Sequence, residues 1–270
     1  MTATSLSTPA ALETGVTAAF WNPAAPVRDA SLAAGVQVVQ TPEALKMGGV
    51  LVGADKALGA GWRVGLLYGR IDVRDLVRTT TSPSSEDGSI PVYEQLLGLR
   101  TSYRRGALAV GAMLEMHDAR FDTERDGGLT LDAGFRLQLH RRITVAAASH
   151  FFPFDFSTTD GTDLYVGIEA VPVESAGIAG TSTLLALRYG TTYRASGDLE
   201  HTLAGGVLIN RQVRVDFAAT SESAYGERAW RLGLGLGVQI GRYVISVARG
   251  SGLNDIGATY RVGLDVDILR

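Results

Sequence analysis

A period of two residues is the feature that most constrains what this chain can fold into. Residues 128–139, "GLTLDAGFRLQL", carry an apolar side chain at every second position, with polar residues or glycine between them. Residues 230–240, "WRLGLGLGVQI", alternate in the same way, and so do 106–117 and 260–269. Because successive side chains of a β-strand point to opposite faces, sustained alternation indicates strands with one apolar and one polar face. We therefore predict an all-β chain.

The number and length of the alternating segments predict a barrel. They are 31–41, 46–58, 61–74, 92–104, 106–119, 127–139, 142–153, 162–172, 180–195, 199–209, 211–219, 227–240, 242–250 and 257–269. Most exceed the ~5–6 residues of an average soluble strand and suit the ~9–11 residues that cross an outer membrane. We expect a transmembrane antiparallel up-and-down β-barrel of about 14 strands over residues 31–270, preceded by an N-terminal segment, 1–30.

The connections between these segments differ in length at the two ends. Tight turns are predicted at 57–61, 104–106, 140–142, 210–211 and 241–242, and longer loops at 75–91, 120–127, 153–161, 219–226 and 250–256. Outer-membrane barrels have short periplasmic turns and longer external loops, so the pattern places both termini on the periplasmic side. The connections at 173–179 and 195–198 fit less well, which leaves the strand count open by two.

The sparse polar face favours a membrane barrel, with lipid as its outer partner, over a soluble one. Aromatic residues near the predicted strand ends would suit an interfacial girdle: Trp62, Tyr103, Phe151, Tyr193, Trp230, Tyr243 and Tyr260. A soluble sandwich or lipocalin-like barrel also carries aromatic residues there, and alternation alone does not say which face is outside. The polar face, however, is mostly glycine with a few charges, too sparse for a solvated exterior.

The polar face would then line the lumen. Its predicted charged residues are Arg100, Glu115, Asp132, Arg136, Glu169, Arg188, Arg214, Asp216, Arg231, Arg261 and Asp265. The two signs are nearly balanced, and an unpaired buried charge is costly, so we expect these side chains to pair with one another. Two interpretations stay open: a structural lattice of ion pairs, or polar groups around a ligand path.

Composition excludes several other functions. A net charge of −3 without a basic run argues against a nucleic-acid partner, and the absence of cysteine removes disulfides and thiolate metal sites. No motif for a cofactor, a metal or catalysis stands out, so we expect neither a cofactor nor an enzyme. The weak catalytic candidates are His150 with Asp155 and His117 with Asp118. No signal peptide is visible, so an outer-membrane protein would have had its leader removed.

Residues 13–26, "ETGVTAAFWNPAAP", carry a second signal. A run of small residues, an aromatic pair and Asn-Pro-Ala just before the first strand resembles the FadL/PorV superfamily of outer-membrane proteins. The resemblance implies a plug on the periplasmic side of a fourteen-stranded barrel, with Trp21, Asn22, Pro23 and Ala24 as its plug or gate residues. The physical chemistry agrees, because Pro23 restricts Asn22 to extended conformations and the asparagine amide can bond unpaired backbone groups.

The same resemblance implies two functions. One is a passive channel for small hydrophobic molecules, with such a ligand, lipid or detergent in the lumen. The other is a non-transporting, PorV-like barrel that anchors or binds a protein partner in secretion or surface assembly. A continuous apolar tunnel would favour the channel, and a lumen filled with paired charges would favour the anchor. An outer-membrane hydrolase, with a site assembled from distant strands, is a third hypothesis.

Overall fold

The computed structural model describes residues 7–76, 88, 90–150, 162–176, 181–224, 227–252 and 257–269. The strands are β1 Leu32–Gln40, β2 Met47–Gly59, β3 Trp62–Val73, β4 Val92–Arg105, β5 Leu108–Phe121, β6 Glu124–His140, β7 Ile143–His150, β8 Asp163–Ala176, β9 Ser182–Tyr193, β10 Leu199–Ile209, β11 Val213–Ala224, β12 Glu227–Ile240, β13 Tyr243–Ser251 and β14 Ala258–Leu269. Short 3₁₀ helices lie at Ala10–Leu12, Thr17–Phe20 and Glu43–Leu45. Among the described helices, none is long and apolar enough to cross a membrane.

The fourteen strands form one closed antiparallel barrel in which each strand pairs with its neighbours in sequence. The first and last strands close it, with Val36 of β1 opposite Leu264 of β14. Closure removes both sheet edges, so every strand has a hydrogen-bonded neighbour on each side. The predicted fold class and strand number are confirmed.

The barrel has a turn end and a loop end. At the turn end β1 begins, β14 finishes and tight turns join the strands, as at Ala60–Gly61 and Gly241–Arg242. The loop end carries the connections after β1, β3 and β7, which are longer. Several predicted longer connections, among them 153–161, fall wholly or partly outside the described residues.

Three of the predicted loops are shorter than expected or displaced. β5 and β6 continue to a tight turn at Asp122–Thr123, and β11 and β12 pair as far as Ala224 and Glu227. β8 likewise runs on to Ala176, so the predicted loop at 173–179 begins in strand, whereas 195–198 does lie in a connection. Apolar alternation stops at the edge of the apolar band, but the backbone ladder continues beyond it, which explains the errors.

The outer surface is apolar around the barrel. Leu131, Phe217 and Leu232, on three different strands, are more than half exposed. The aromatic rings lie towards the strand ends: Trp62 packs against Tyr103 at the turn end, with centroids 4.8 Å apart, and Tyr193, Trp230 and Tyr260 lie near the loop end. Phe151 lies outside the described residues.

The core lies inside the barrel. Residues 7–30, hereafter the N-terminal segment, fold into the lumen, and most of them are buried. Phe20 and Trp21 belong to a buried cluster with inner-wall side chains that include Leu51, Leu67 and Met113. The chain leaves the lumen at the turn end, where Ser31 N donates to Leu269 O at 2.8 Å.

Candidate functional site

The N-terminal segment forms a folded loop across the lumen. Its two short helices are buried, and the backbone doubles back so that Gly15 N donates to Pro26 O at 3.1 Å. Gly15 has φ +106°, in the left-handed region that side chains disfavour, and so permits this reversal. The segment therefore has internal structure as well as contacts to the wall.

Asn22 holds the middle of the segment together. Its side chain is fully buried; Nδ2 donates to Ala11 O at 2.9 Å and to Phe135 O of β6 at 3.4 Å. Oδ1 accepts from Ala24 N at 2.8 Å, an asparagine turn before the first strand. One amide thus joins the two halves of the segment to each other and to the wall.

The other three predicted plug residues lie beside it. Trp21 packs edge-on against Phe20 and Tyr165, with ring centroids 4.7 and 6.0 Å away. Pro23 and Ala24 follow with backbone atoms against β5. The structure thus places Trp21, Asn22, Pro23 and Ala24 together inside the barrel.

Arg100 binds the segment to β4. Its Nε donates to Pro23 O at 2.7 Å and its Nη2 to Ala25 O at 2.6 Å. Its Nη1 donates to Asp55 of β2 at 2.9 Å. The rigid guanidinium fork therefore serves two backbone carbonyls and one carboxylate at once.

Glycines on the inner wall make room for the segment. A Cβ on Gly111 would lie 2.3 Å from Pro23 O, and one on Gly134 would lie 2.1 Å from Asn22 Oδ1. Such distances are not tolerated, so a larger residue at either position would displace the segment. Gly190, Gly167 and Gly235 likewise face Pro9, Leu12 and Ser7.

The predicted lumen charges lie on the inner face, and most of them pair. Arg188 binds Glu169 at 2.6 Å and Asp216 at 2.9 Å, while Arg136 and Arg214 approach the same two carboxylates at 3.7 and 2.6 Å. These five side chains form a continuous network across β6, β8, β9 and β11.

The remaining predicted charges have separate surroundings. Arg261 binds Glu13 of the N-terminal segment at 3.1 Å, and Asp265 accepts from Val16 N at 3.3 Å. Burial alone would raise the pKa of Glu13, but the positive charges of Arg261 and Arg214 lower it below its ordinary value. Arg231 lines a small cavity near the loop end, and Glu115 and Asp132 lie together, away from the arginines of the network.

The sequence analysis missed several ion pairs, among them those of Asp55 and of Arg194. Asp55, besides Arg100, binds Arg63. Near the loop end, Arg194 binds Asp163 at 2.7 Å and Glu200 at 3.1 Å. Burial lowers the pKa of Arg194, but Glu200, Tyr165 and Asp163 together raise it above its ordinary value. Asp163 and Glu200 stand near the starts of β8 and β10, where continuing the alternation to the strand ends would have found them, whereas Asp55 lies inside β2.

Of the two histidine pairs suggested by sequence, one is not formed and the other includes a residue outside the described part of the chain. His117 and Asp118 are consecutive residues of β5 and so point to opposite faces; Asp118 accepts from Tyr93 and Gln95 instead. Asp155 lies outside the described residues. His150 instead contacts Asp132 through its Nδ1 and packs against Phe20.

Two cavities border the start of the N-terminal segment. A cavity of about 830 Å³ at the turn end is lined by Thr8, Val16, Leu208 and Asp267, among others. A second cavity of about 50 Å³, towards the loop end, is lined by Thr8, Trp21, Tyr165 and Arg231. Thr8 borders both, so the start of the segment stands between them.

Solved structures with the same fold are outer-membrane proteins. The toluene transporter TodX of Pseudomonas putida superposes with a TM-score of 0.58 at 11% identity, over 96% of this chain and 99% of TodX. The outer membrane protein Omp33 of Acinetobacter baumannii gives 0.52 at 9% identity, over 88% of this chain and 98% of Omp33. No protein-family model and no curated protein matches the sequence. At these identities the similarity establishes the fold, a β-barrel of the outer-membrane type.

Proposed function

We propose that this chain is a bacterial outer-membrane channel of the FadL/PorV superfamily, which passes small, largely apolar molecules and is closed by its N-terminal segment. The observation that carries the proposal is the seating of that segment across the lumen, between the two cavities that Thr8 borders. The turn end, where β1 begins and β14 ends, is then the periplasmic side.

The cavity and the similar fold support an apolar cargo. Val16, Leu184, Leu208 and Leu236 line the larger cavity beside its charged groups. TodX, which shares the fold, is a transporter of toluene. A molecule that crosses the barrel must pass Thr8. A shift of residues 7–12 along β8, β9 and β12 would open such a path without unfolding the barrel.

A disulfide that locks the segment tests the gate. A Cβ on Gly167 of β8 would lie 3.6 Å from Ala11 Cβ, within the ~3.5–4.5 Å that a disulfide requires. The same Cβ would lie 2.8 Å from Leu12 Cγ, so all variants carry Leu12→Ala, which removes that clash. Since the chain has no cysteine, the double variant Ala11→Cys/Gly167→Cys in this background forms the crosslink alone. Each single-cysteine variant is a matched control.

The readout is uptake of radiolabelled toluene by cells with a lipopolysaccharide outer leaflet, with ion conductance of the purified protein in planar bilayers as a second measure. We expect uptake by the reduced double variant to exceed that of the oxidised form severalfold. Equal uptake by both forms, with the disulfide verified by mass, would refute the gate. Wild-type uptake no faster than that of cells lacking the protein would refute the channel.

A scaffold that anchors a partner is the second candidate, and the ion pairs favour it. The Arg136, Glu169, Arg188, Arg214 and Asp216 network occupies the inner wall and would resist movement. A scaffold predicts no uptake in either redox state and copurification of a protein partner from the native membrane. The same experiment therefore separates the two candidates.

A further inference from the structure

Three buried side chains from neighbouring strands converge inside the barrel, apart from the arginine network. Glu115 of β5 and Asp132 of β6 are fully buried, and His150 of β7 is 1% exposed. Each offers one ligand atom, and these atoms all lie within 4.8 Å of one another. His150 also packs edge-on against Phe20 of the N-terminal segment, with centroids 4.8 Å apart.

Three polar atoms of this group, on Glu115 and His150, lack a hydrogen-bond partner within the described part of the protein. Among the described residues, neither carboxylate oxygen of Glu115 has a hydrogen-bond partner, and neither does Nε2 of His150. Three other buried carboxylates of the lumen differ, because Asp55, Asp163 and Asp216 each bind an arginine at close range. A buried carboxylate without a partner is costly, so its retention points to a ligand that satisfies it.

We propose that Glu115 and His150, with Asp132 as the carboxylate that orients the imidazole, form a site for a divalent transition-metal cation, with Zn²⁺ as the best-fitting class. Imidazole nitrogen together with carboxylate oxygen suits Zn²⁺ and its neighbours, whereas Ca²⁺ and Mg²⁺ favour oxygen ligands alone. Bonds of ~2.0–2.2 Å to a tetrahedral ion set ligand atoms about 3.4 Å apart, which small side-chain rotations would reach here.

The contact between Asp132 and His150 Nδ1 suits this role. A carboxylate on one ring nitrogen orients the imidazole and raises its basicity, which leaves the other nitrogen to bind the metal. Nε2 is the unsatisfied nitrogen in this structure. The cation would join β5, β6 and β7 beside Phe20 and balance the two carboxylate charges.

Cobalt titration of the full-length, detergent-solubilised barrel tests the site. We expect one equivalent of Co²⁺ to give visible d–d bands that ZnCl₂ abolishes, and affinity for both ions to fall at least tenfold in Glu115→Gln and His150→Gln. Glu94→Gln is the matched control, since Glu94 is 3% exposed on β4 but outside the group. Wild-type affinity in Glu115→Gln, or no Co²⁺ binding by the wild type, would overturn the proposal.

Two further measurements, both on the wild type, test the site even if a variant does not fold. The wild type should unfold at a temperature that rises with ZnCl₂ concentration, because a ligand of the native state stabilises it by mass action. If a variant does not fold, pulsed electron paramagnetic resonance of Cu²⁺ bound to the wild type decides. Imidazole nitrogen coupling from one histidine supports the site, and absence of that coupling overturns it.

Discussion

Asn22 forms hydrogen bonds with several backbone groups that would otherwise lack partners inside the barrel. Its amide bonds Ala11 O, Phe135 O and Ala24 N while fully buried. Because a buried polar group that loses its partner bears its full desolvation cost, the residue type matters more than its volume. An apolar residue of similar size would fill the space and leave these groups unpaired.

Asn22→Ala should therefore lower the free energy of unfolding by about 2 kcal/mol or more. Urea unfolding of the barrel in phospholipid vesicles, followed by tryptophan fluorescence, gives the value. Gln37→Ala is the control: Gln37 is also an inner-wall amide, but none of the hydrogen bonds found among the described residues involves its side chain. Equal losses in the two variants would contradict the role given to Asn22.

Arg100 depends on shape as well as on charge. Lysine keeps the positive charge but cannot reach Asp55, Pro23 O and Ala25 O together. Arg100→Lys should lower the free energy of unfolding by about 2–3 kcal/mol through lost charged hydrogen bonds. The same unfolding assay measures this loss. Arg211→Lys, in an exposed turn, is the control and should leave the free energy of unfolding unchanged. A loss below 0.5 kcal/mol would show that charge alone suffices.

At the level of elements, the seat of the N-terminal segment depends on wall positions that lack a side chain. Gly111→Ala would place a methyl group 2.3 Å from Pro23 O. We expect it to cost about 1–3 kcal/mol and to loosen the segment, because a backbone cannot yield as a flexible side chain does. Trypsin cleavage at Arg28 should become faster, since the segment would be detached from the inner wall for a larger fraction of the time.

Gly205→Ala is the matched control for this prediction. Gly205 also lies in a strand, but a Cβ there would meet nothing nearer than Leu187 Cδ2 at 3.9 Å. It should leave cleavage at Arg28 unchanged and should not destabilise the barrel. If Gly111→Ala behaves in the same way, the close approach of Pro23 to β5 is not what holds the segment.

The strands could be read from the sequence because lipid imposes a simple rule on them. Every second residue must be apolar where the wall faces hydrocarbon, so β12 appears over 227–240 in both the prediction and the structure. At the loop end that rule no longer applies: β6 begins at Glu124, in a polar run that pairs with β5. Propensity and periodicity carry no signal for such pairing.

The interior was less predictable, since it depends on contacts between residues far apart in the chain. Alternation identified the inward charges. It could not predict that Arg100 would bind the segment or that Glu115 would lie beside His150. Which of Asp118, Asp132 and Asp155 lies near a histidine depends on strand register, that is, on which residues of β6 and β7 lie opposite each other. Register is fixed by the whole barrel, so one segment of sequence cannot reveal it.

For the whole molecule, the apolar exterior decides which solvent the barrel requires. Leu234 lies in the middle of β12 and faces outward, with 47% of its surface exposed, and Leu269 faces outward at the end of β14. In a bilayer these two leucines meet different surroundings, hydrocarbon and interface. In water both would meet the same solvent.

Leu234→Arg should thus lower the free energy of unfolding from phospholipid vesicles by about 2–4 kcal/mol, whereas Leu269→Arg should cost about 0–1 kcal/mol. The difference arises because the guanidinium at mid-strand must lie in hydrocarbon, while at the strand end it reaches the headgroups. Reversible denaturant unfolding of both variants in vesicles of one lipid measures it. Equal and small costs at the two positions would mean that this band does not face hydrocarbon, and the membrane assignment would fail with it.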